Sequence, residues 1–143
     1  SLKDGSKKMS KSEISDLSRI NLTDSKDQII NKIKKAKTDP LSMPSTSEEL
    51  NKRLEAKNLI GIYASLNNLT LEQSVKEFSG KNFSEFKEIL SQTLVDKISP
   101  ISNEIRKLLD EKSYLDGILA DGSKKADQIA SKKIKKIHDL VGF

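Results

Sequence analysis

Hydrophobic and polar residues recur with a helical period along most of the chain, beginning near Ser25. Ser25-Lys26-Asp27-Gln28 matches a capping box, in which the serine caps the first turn and the glutamine reaches back to it. The helix that follows should end at Thr38-Asp39-Pro40, because proline disfavours helical geometry in the residue before it. Its predicted buried stripe consists of Ile29, Ile30, Ile33 and Ala36.

Polar residues that favour helix starts divide the middle of the chain into three shorter helices. Their predicted N-terminal caps are Thr46, Asn58 and Thr70, with Glu49 and Gln73 completing capping boxes at the first and third. Gly80 suits the position after the last of these helices, because glycine adopts the left-handed conformation at little cost. The predicted buried positions are Leu50, Leu54, Leu59, Ile62, Tyr63, Leu66, Leu71, Val75 and Phe78.

A long apolar stripe dominates the second half of the chain and runs from Phe83 to Leu108. Pro100 falls inside it and should kink the helix or divide it in two. Ser113 with Asp116 then predicts a short capped turn before the last helix. The predicted core positions of these helices are Phe83, Phe86, Leu90, Leu94, Ile98, Ile101, Ile105, Leu108, Ile118, Leu119, Ala126, Ile129, Ala130, Ile134, Ile137 and Val141.

These patterns predict an all-α fold, an irregular bundle of about five to six helices preceded by an irregular segment over residues 1–24. A strand end is possible only at residues 1–3. Tyr63 and Tyr114 lie within apolar stripes, which favours core packing over stacking on a nucleic-acid base. His138 is expected to be an ordinary surface histidine.

The composition of the chain argues against several kinds of active site. The 143 residues include no cysteine and one histidine, so a disulfide framework, a thiolate metal site and a histidine-based triad are not expected. No apolar run approaches the roughly 20 residues of a membrane helix, and a cytoplasmic protein is the simplest expectation. The net charge is +5, and the chain has two lysine clusters, which suit either a solvated helix face or contacts to RNA phosphate. The clusters are Lys32, Lys34, Lys35 and Lys37, and Lys124, Lys125, Lys132, Lys133, Lys135 and Lys136.

The irregular segment near the start of the chain carries the most informative residues. Lys8-Met9-Ser10-Lys11-Ser12 follows Asp4-Gly5-Ser6-Lys7. Ammonium groups neutralise phosphate oxygens, hydroxyls and free backbone N–H groups add hydrogen bonds, and glycine allows a close backbone approach. Composition alone leaves two interpretations open, a polyphosphate-binding loop and a solvated loop.

The exact pentapeptide KMSKS resembles the second signature of class I aminoacyl-tRNA synthetases, whose loop closes over ATP. Further blocks in the same order resemble the C-terminal part of bacterial-type tryptophanyl-tRNA synthetases, more than the tyrosyl enzymes. These blocks are SRINLTDS at 18–25, KIKKAKTD at 32–39, NLIGIY at 58–63, EFSGK at 77–81, YLDGIL at 114–119 and GSKKA at 122–126. One difference is that Glu13 is followed by Ile14, where the family often has proline.

The resemblance implies roles for the residues of the loop. Lys11 is expected to stabilise the leaving pyrophosphate, and Lys8 to help hold the phosphates. Met9 would lie near the adenine through its backbone, and Ser10 and Ser12 would bind phosphate or cap the loop. ATP with Mg²⁺ is the implied nucleotide, with no protein metal site.

The resemblance also implies an organisation. Residues 1–24 would be the KMSKS segment at the end of a catalytic domain, and residues 25–143 a helical domain that binds the tRNA anticodon. The chain shows neither a Rossmann pattern nor a HIGH-like motif, so the tryptophan pocket is expected upstream and this fragment alone is expected to be inactive. The implied partners are tryptophan tRNA, ATP, L-tryptophan and a second subunit of a homodimer. The alternative is a freestanding helical RNA-binding or structural domain without a catalytic role.

Overall fold

Helices account for nearly all regular structure in this protein. The structure is a computed structural model and describes residues 1–142. Those residues form six α-helices and one short 3₁₀ helix, and none of them is in a strand, which confirms the predicted all-α class. The strand end considered at residues 1–3 is not observed. The elements are the 3₁₀ helix Asp16–Ser18, α1 Lys26–Lys34, α2 Ser47–Lys52, α3 Leu54–Asn67, α4 Leu71–Phe78, α5 Phe83–Asp110 and α6 Lys112–Val141.

Side-chain caps start α1 and α4 as predicted. The Gln28 N–H donates to Ser25 Oγ at 3.3 Å, and the Ser25 N–H donates to Gln28 Oε1 at 2.7 Å. Thr70 and Gln73 form the same reciprocal pair at the start of α4. Gly80, just past the end of α4, has a φ of +73°, which is the left-handed conformation expected there. Both capping boxes and this glycine are therefore confirmed.

Two other predicted helix starts differ from the structure. At α2, Thr46 accepts a hydrogen bond from the Glu49 N–H at 3.2 Å, but the Glu49 carboxylate accepts from the Ser45 N–H at 2.8 Å, so only half of the predicted box forms. Asn58, predicted as a cap, lies inside α3. Its side-chain amide donates to the Ser1 carbonyl oxygen at 3.0 Å. The predicted cap at Asn58 is therefore wrong, because α3 begins four residues earlier, at Leu54.

Pro100 does not divide α5. A proline removes one backbone hydrogen bond from a helix and crowds the preceding turn. Two residues later the buried Ser102 donates its hydroxyl to the Leu22 carbonyl oxygen at 2.6 Å, which anchors the helix beyond the proline. Of the two predicted effects of Pro100, a kink or a division, the division is therefore wrong. The separate turn predicted at Ser113 is also wrong, because Ser113 lies in the first turn of α6.

An aromatic cluster lies in the core of the first of two compact units, Ser1–Asn103. The rings of Phe78 and Phe86 are 4.7 Å apart, and that of Tyr63 lies 4.8 Å from Phe78, in edge-to-face geometry. The Tyr63 hydroxyl donates to Glu77 Oε1 at 2.8 Å, and burial together with this carboxylate raises the pKa of Tyr63 to about 12. The predicted core role of Tyr63 is confirmed.

Most of the predicted buried stripe of α1 to α5 is buried. Four predicted core residues are instead substantially exposed, because they lie at helix ends or beside the stripe: Ile30, Leu54, Leu71 and Ile101. The buried apolar side chains of this unit are Leu2, Ile29, Ile33, Ala36, Met43, Pro44, Leu50, Ala56, Leu59, Ile60, Tyr63, Ala64, Val75, Phe78, Phe83, Phe86, Leu90, Leu94, Val95 and Ile98.

The second unit begins at Glu104 and contains the end of α5 and all of α6. No side chain of α6 is buried. The prediction that its apolar stripe is core is therefore wrong for Tyr114, Ile118, Leu119, Ile129, Ile134, Ile137 and Val141, and likewise for Ala126 and Ala130. A helical period shows that one face is apolar, but it does not show that the same chain covers that face. Within residues 1–142, no helix combines the length and apolarity needed to cross a bilayer.

Candidate functional site

The segment before the KMSKS pentapeptide is held by a local turn and by α3. Asp4 Oδ1 accepts hydrogen bonds from the Ser6 N–H at 3.0 Å and from Ser6 Oγ at 2.6 Å, and the Lys7 N–H donates to the Asp4 carbonyl at 3.1 Å. Gly5 packs so closely that a Cβ there would lie 2.5 Å from the Leu54 carbonyl oxygen. Only glycine permits this approach, so the start of α3 fixes where the loop begins.

Within the pentapeptide, the apolar and charged side chains separate. Met9 is partly buried against the hydrophobic core, whereas Lys8, Lys11 and Ser12 are exposed. The hydroxyls of Ser10 and Ser12 lie 3.0 Å apart. The methionine therefore anchors the loop, and both lysine ammonium groups remain accessible to an anion in solvent.

Lys11 and Ser12 occupy the centre of a four-residue turn. The Glu13 N–H closes this turn on the Ser10 carbonyl oxygen at 3.3 Å. Arg19 binds the same two residues from outside, because its Nη1 donates to the Glu13 carbonyl at 2.9 Å and to the Ser10 carbonyl at 3.4 Å. The position of Lys11 is thus tied to that of the Arg19 guanidinium.

A surface concavity of about 290 Å³ lies beside this turn. Of the predicted site residues it brings together Lys8 and Ser10, while Lys11 and Ser12 lie on the neighbouring turn and Met9 faces the core. Ser18 also lines it, although its hydroxyl is buried and has no hydrogen-bond partner among the described residues. The ammonium groups of Lys7 and Lys8 at this concavity, together with the serine hydroxyls beside them, suit an anionic ligand with several oxygens. The residues lining the concavity are Ser1, Lys7, Lys8, Ser10, Glu13 and Ser18.

The sequence interpretation missed a charge network behind this turn and misassigned Lys32. That lysine is only 3% exposed, and its Nζ lies 2.6 Å from both Asp16 Oδ2 and Asp24 Oδ2. It is therefore not available to RNA phosphate, which corrects its place in the predicted surface cluster. One signal was present: Lys32 shares the helix face of Ile29 and Ile33, and a lysine on a buried face needs acidic partners.

The other predicted surface lysines are accessible. Lys34 and Lys35 are exposed at the end of α1, and Lys37 pairs with Glu55 at 2.8 Å. On α6 all six clustered lysines are exposed, which is compatible with both predicted alternatives, a solvated face and contacts to RNA phosphate. Among residues 1–142, no group of three His, Asp or Glu side chains has the arrangement of a metal site.

Acidification is expected to loosen the packing around the loop. Hydrogen bonds from Lys32 and Asn21 hold the pKa of Asp16 below its ordinary value, and a hydrogen bond from Lys37 does the same for Glu55. Lowered carboxyl pKa values contribute stability that is fully present above the unfolded-state pKa of about 4 and is lost as the pH falls through the folded-state pKa. The urea concentration at the unfolding midpoint should therefore decrease as the pH is lowered below about 4. The urea midpoint of a Glu55→Gln variant should fall less on acidification than that of the parent. An equal fall in both proteins would contradict the contribution assigned to the Glu55 carboxylate.

Comparison with known proteins identifies the family of this chain. The family model described as tRNA synthetases class I (W and Y) matches residues 1–109. Tryptophan–tRNA ligases of Agrobacterium fabrum, Brucella melitensis and Rickettsia conorii are 51%, 48% and 45% identical over all 143 residues of this chain. The chain spans 40% of the length of the first two relatives and 43% of the third. It therefore belongs to the class I tRNA synthetases of the tryptophan and tyrosine family.

Proposed function

We propose that the intact protein is a tryptophan–tRNA ligase, in which this chain provides the KMSKS loop over ATP and the helices that bind tRNA. The observation that carries the proposal is the complete KMSKS loop with both lysines accessible, in a chain that matches the W and Y synthetases. The similarity to curated tryptophan–tRNA ligases supports tryptophan as the amino acid. The reaction joins tryptophan to AMP with release of pyrophosphate, and then transfers the amino acid to tRNA.

The loop would act on charge that develops at the phosphates. As the tryptophan carboxylate attacks the α-phosphorus, the leaving pyrophosphate gains negative charge, which positioned ammonium groups stabilise. Lys11 would contact that charge, and Lys8 would hold the phosphates from the neighbouring concavity. Ser10 and Ser12 would donate hydrogen bonds, and the Met9 backbone would lie near the adenine. We propose that Mg²⁺ arrives with ATP as part of the substrate.

The helices would have the second task, recognition of the tRNA anticodon by residues 25–143. Exposed lysines at the end of α1 and on α6 are suited to contacts with the RNA backbone. The whole protein is proposed to act as a cytoplasmic homodimer. Base readout needs stacking surfaces and hydrogen-bonding edges in addition to these charges.

Pyrophosphate exchange tests the catalytic part of the proposal. The intact protein should incorporate labelled pyrophosphate into ATP with tryptophan, and far more slowly with tyrosine at the same concentration. The isolated 143-residue chain should show no exchange with either amino acid. Exchange that prefers tyrosine would overturn the assigned amino acid, and exchange by the isolated chain would contradict a catalytic site upstream.

Binding to tRNA across a salt series tests the second part. The chain is compared on a tryptophan tRNA transcript and on the same transcript with a changed anticodon. Tighter binding to the native anticodon would support base recognition by these helices. Equal binding to both that weakens with salt would mean phosphate attraction only. Absence of binding would contradict a tRNA role for this part of the protein.

A further inference from the structure

Lys32 is the buried end of a chain of charged contacts that leads to the loop. It lies on the core face of α1, and its ammonium contacts two carboxylates at 2.6 Å each. Asp24, at 4% exposed, is as buried as the lysine, whereas Asp16 is about half exposed. The ammonium group therefore has fixed partners on both sides, and it cannot move without leaving a buried charge unpaired.

Asp16 connects this buried lysine to Arg19. Its Oδ1 lies 3.1 Å from Arg19 Nη2, while its Oδ2 contacts Lys32. Asn21 joins the same network, because its Nδ2 donates to Asp16 Oδ1 at 2.8 Å and its Oδ1 accepts from Arg19 Nε at 3.2 Å. The guanidinium is thus oriented by a carboxylate that α1 in turn holds in place.

Arg19 also donates hydrogen bonds to the loop. One nitrogen, Nη1, reaches both carbonyl groups that close the turn around Lys11, those of Ser10 and Glu13. Guanidinium is planar and presents its five N–H donors in a fixed fork, so it can bind a carboxylate and two carbonyls at once. A lysine at this position would offer one compact ammonium and could not keep all these contacts.

We propose that Lys32, Asp16 and Arg19 form a positioning relay that holds the turn of residues 10–13 and thereby orients Lys11 toward the nucleotide phosphates. This inference rests on the proposed role of Lys11. The three residues do not contact the nucleotide. They set the geometry of a group that does, from a helix in the core.

A first experiment measures the turn itself and does not depend on catalysis. Asp16→Asn separates Lys32 from Arg19 with little change of shape, and Asp24 remains to compensate the buried ammonium. Arg19→Lys keeps the charge but removes the fork. In the intact protein without nucleotide, both variants should raise hydrogen exchange at the Glu13 amide by about tenfold, because opening of the turn becomes easier. Unchanged exchange in both folded variants would overturn the relay.

A second experiment measures catalysis by pyrophosphate exchange in the intact protein. Both variants should lower kcat by about 10- to 100-fold with KM for ATP within about twofold, because misplacement affects the transition-state contact more than ground-state binding. In a Lys11→Ala background, Asp16→Asn should cause no further loss, since the relay would then have nothing to position. A purely structural effect would instead persist in that background.

Glu85→Gln is the matched control. Glu85 is similarly exposed at 47% and pairs with Lys81 at 3.0 Å, yet neither residue contacts the loop. The Glu85→Gln variant should match the parent in hydrogen exchange at the Glu13 amide and in kcat for pyrophosphate exchange. Suppose that Lys11→Ala slows the reaction, and that the relay variants show faster amide hydrogen exchange but an unchanged kcat. The relay is then wrong, and the role of Lys11 stands. If Lys11→Ala itself has no effect, the proposed loop mechanism fails, and the amide exchange still decides whether the relay holds the turn.

Discussion

Replacing Lys11 with alanine in the intact protein is expected to slow tryptophan-dependent pyrophosphate exchange by about 30- to 1,000-fold. This corresponds to roughly 2–4 kcal/mol of lost transition-state stabilisation, the usual cost of removing one positioned donor from a developing anion. Lys11 is exposed on a turn and makes no contact that the fold needs. Its loss should therefore leave the urea midpoint unchanged while lowering kcat.

The control for this substitution is Lys97→Ala. Lys97 is also an exposed lysine, and it lies on α5, within the same compact unit but outside the loop. The Lys97→Ala variant should catalyse pyrophosphate exchange at the parent rate. This comparison separates the general effect of losing one positive charge from the specific effect of losing the Lys11 ammonium. An unchanged rate in Lys11→Ala would remove Lys11 from the mechanism.

Phe86→Ala is expected to cause the largest loss of stability among substitutions in the core. Phe86 is completely buried, and its ring contacts Phe78 at 4.7 Å and Tyr63 at 6.2 Å. Truncating a buried phenylalanine costs about 3–5 kcal/mol in lost transfer free energy and cavity formation. A domain of this kind is stable by only about 5–15 kcal/mol. The urea midpoint should fall by at least about 1 M.

Ile14→Ala provides the comparison for that measurement. Ile14 is fully exposed in the segment after the loop, so its truncation removes no buried contact. Its urea midpoint should stay within error of the parent. A midpoint in Phe86→Ala as high as that in Ile14→Ala would show that the aromatic cluster is not the centre of the core.

Some features could be predicted because they depend on neighbours in sequence. The capping boxes at Ser25 and Thr70 need only a residue three positions later, and both form. Gly80, just past the end of α4, could be predicted for an equally local reason, because glycine readily adopts the left-handed conformation found there. Asn58 is not a cap because α3 already begins at Leu54, and its amide instead donates to the Ser1 carbonyl, 57 residues away in the chain. Local sequence rules identify residues that favour a helix start, but packing decides at which residue the helix begins.

The candidate site divides in the same way. The pentapeptide from Lys8 to Ser12 was recognisable from its residues alone. Arg19 belongs to a block that resembles the family, but nothing in its local sequence shows that it reaches back to the Ser10 and Glu13 carbonyls. The sequence predicts a surface position for Lys32 because lysines usually lie there. The structure buries it between two carboxylates from the segment before α1.

The helical class, the main caps and the KMSKS pentapeptide could be predicted because each depends on residue types within a few positions of one another. The burial of Lys32, the contacts of Arg19 with the turn around Lys11 and the lack of any buried side chain on α6 became evident only from the packed chain. Burial and ion pairing depend on which surfaces meet. A helical period shows that a face is apolar, but only the packed chain shows what covers it.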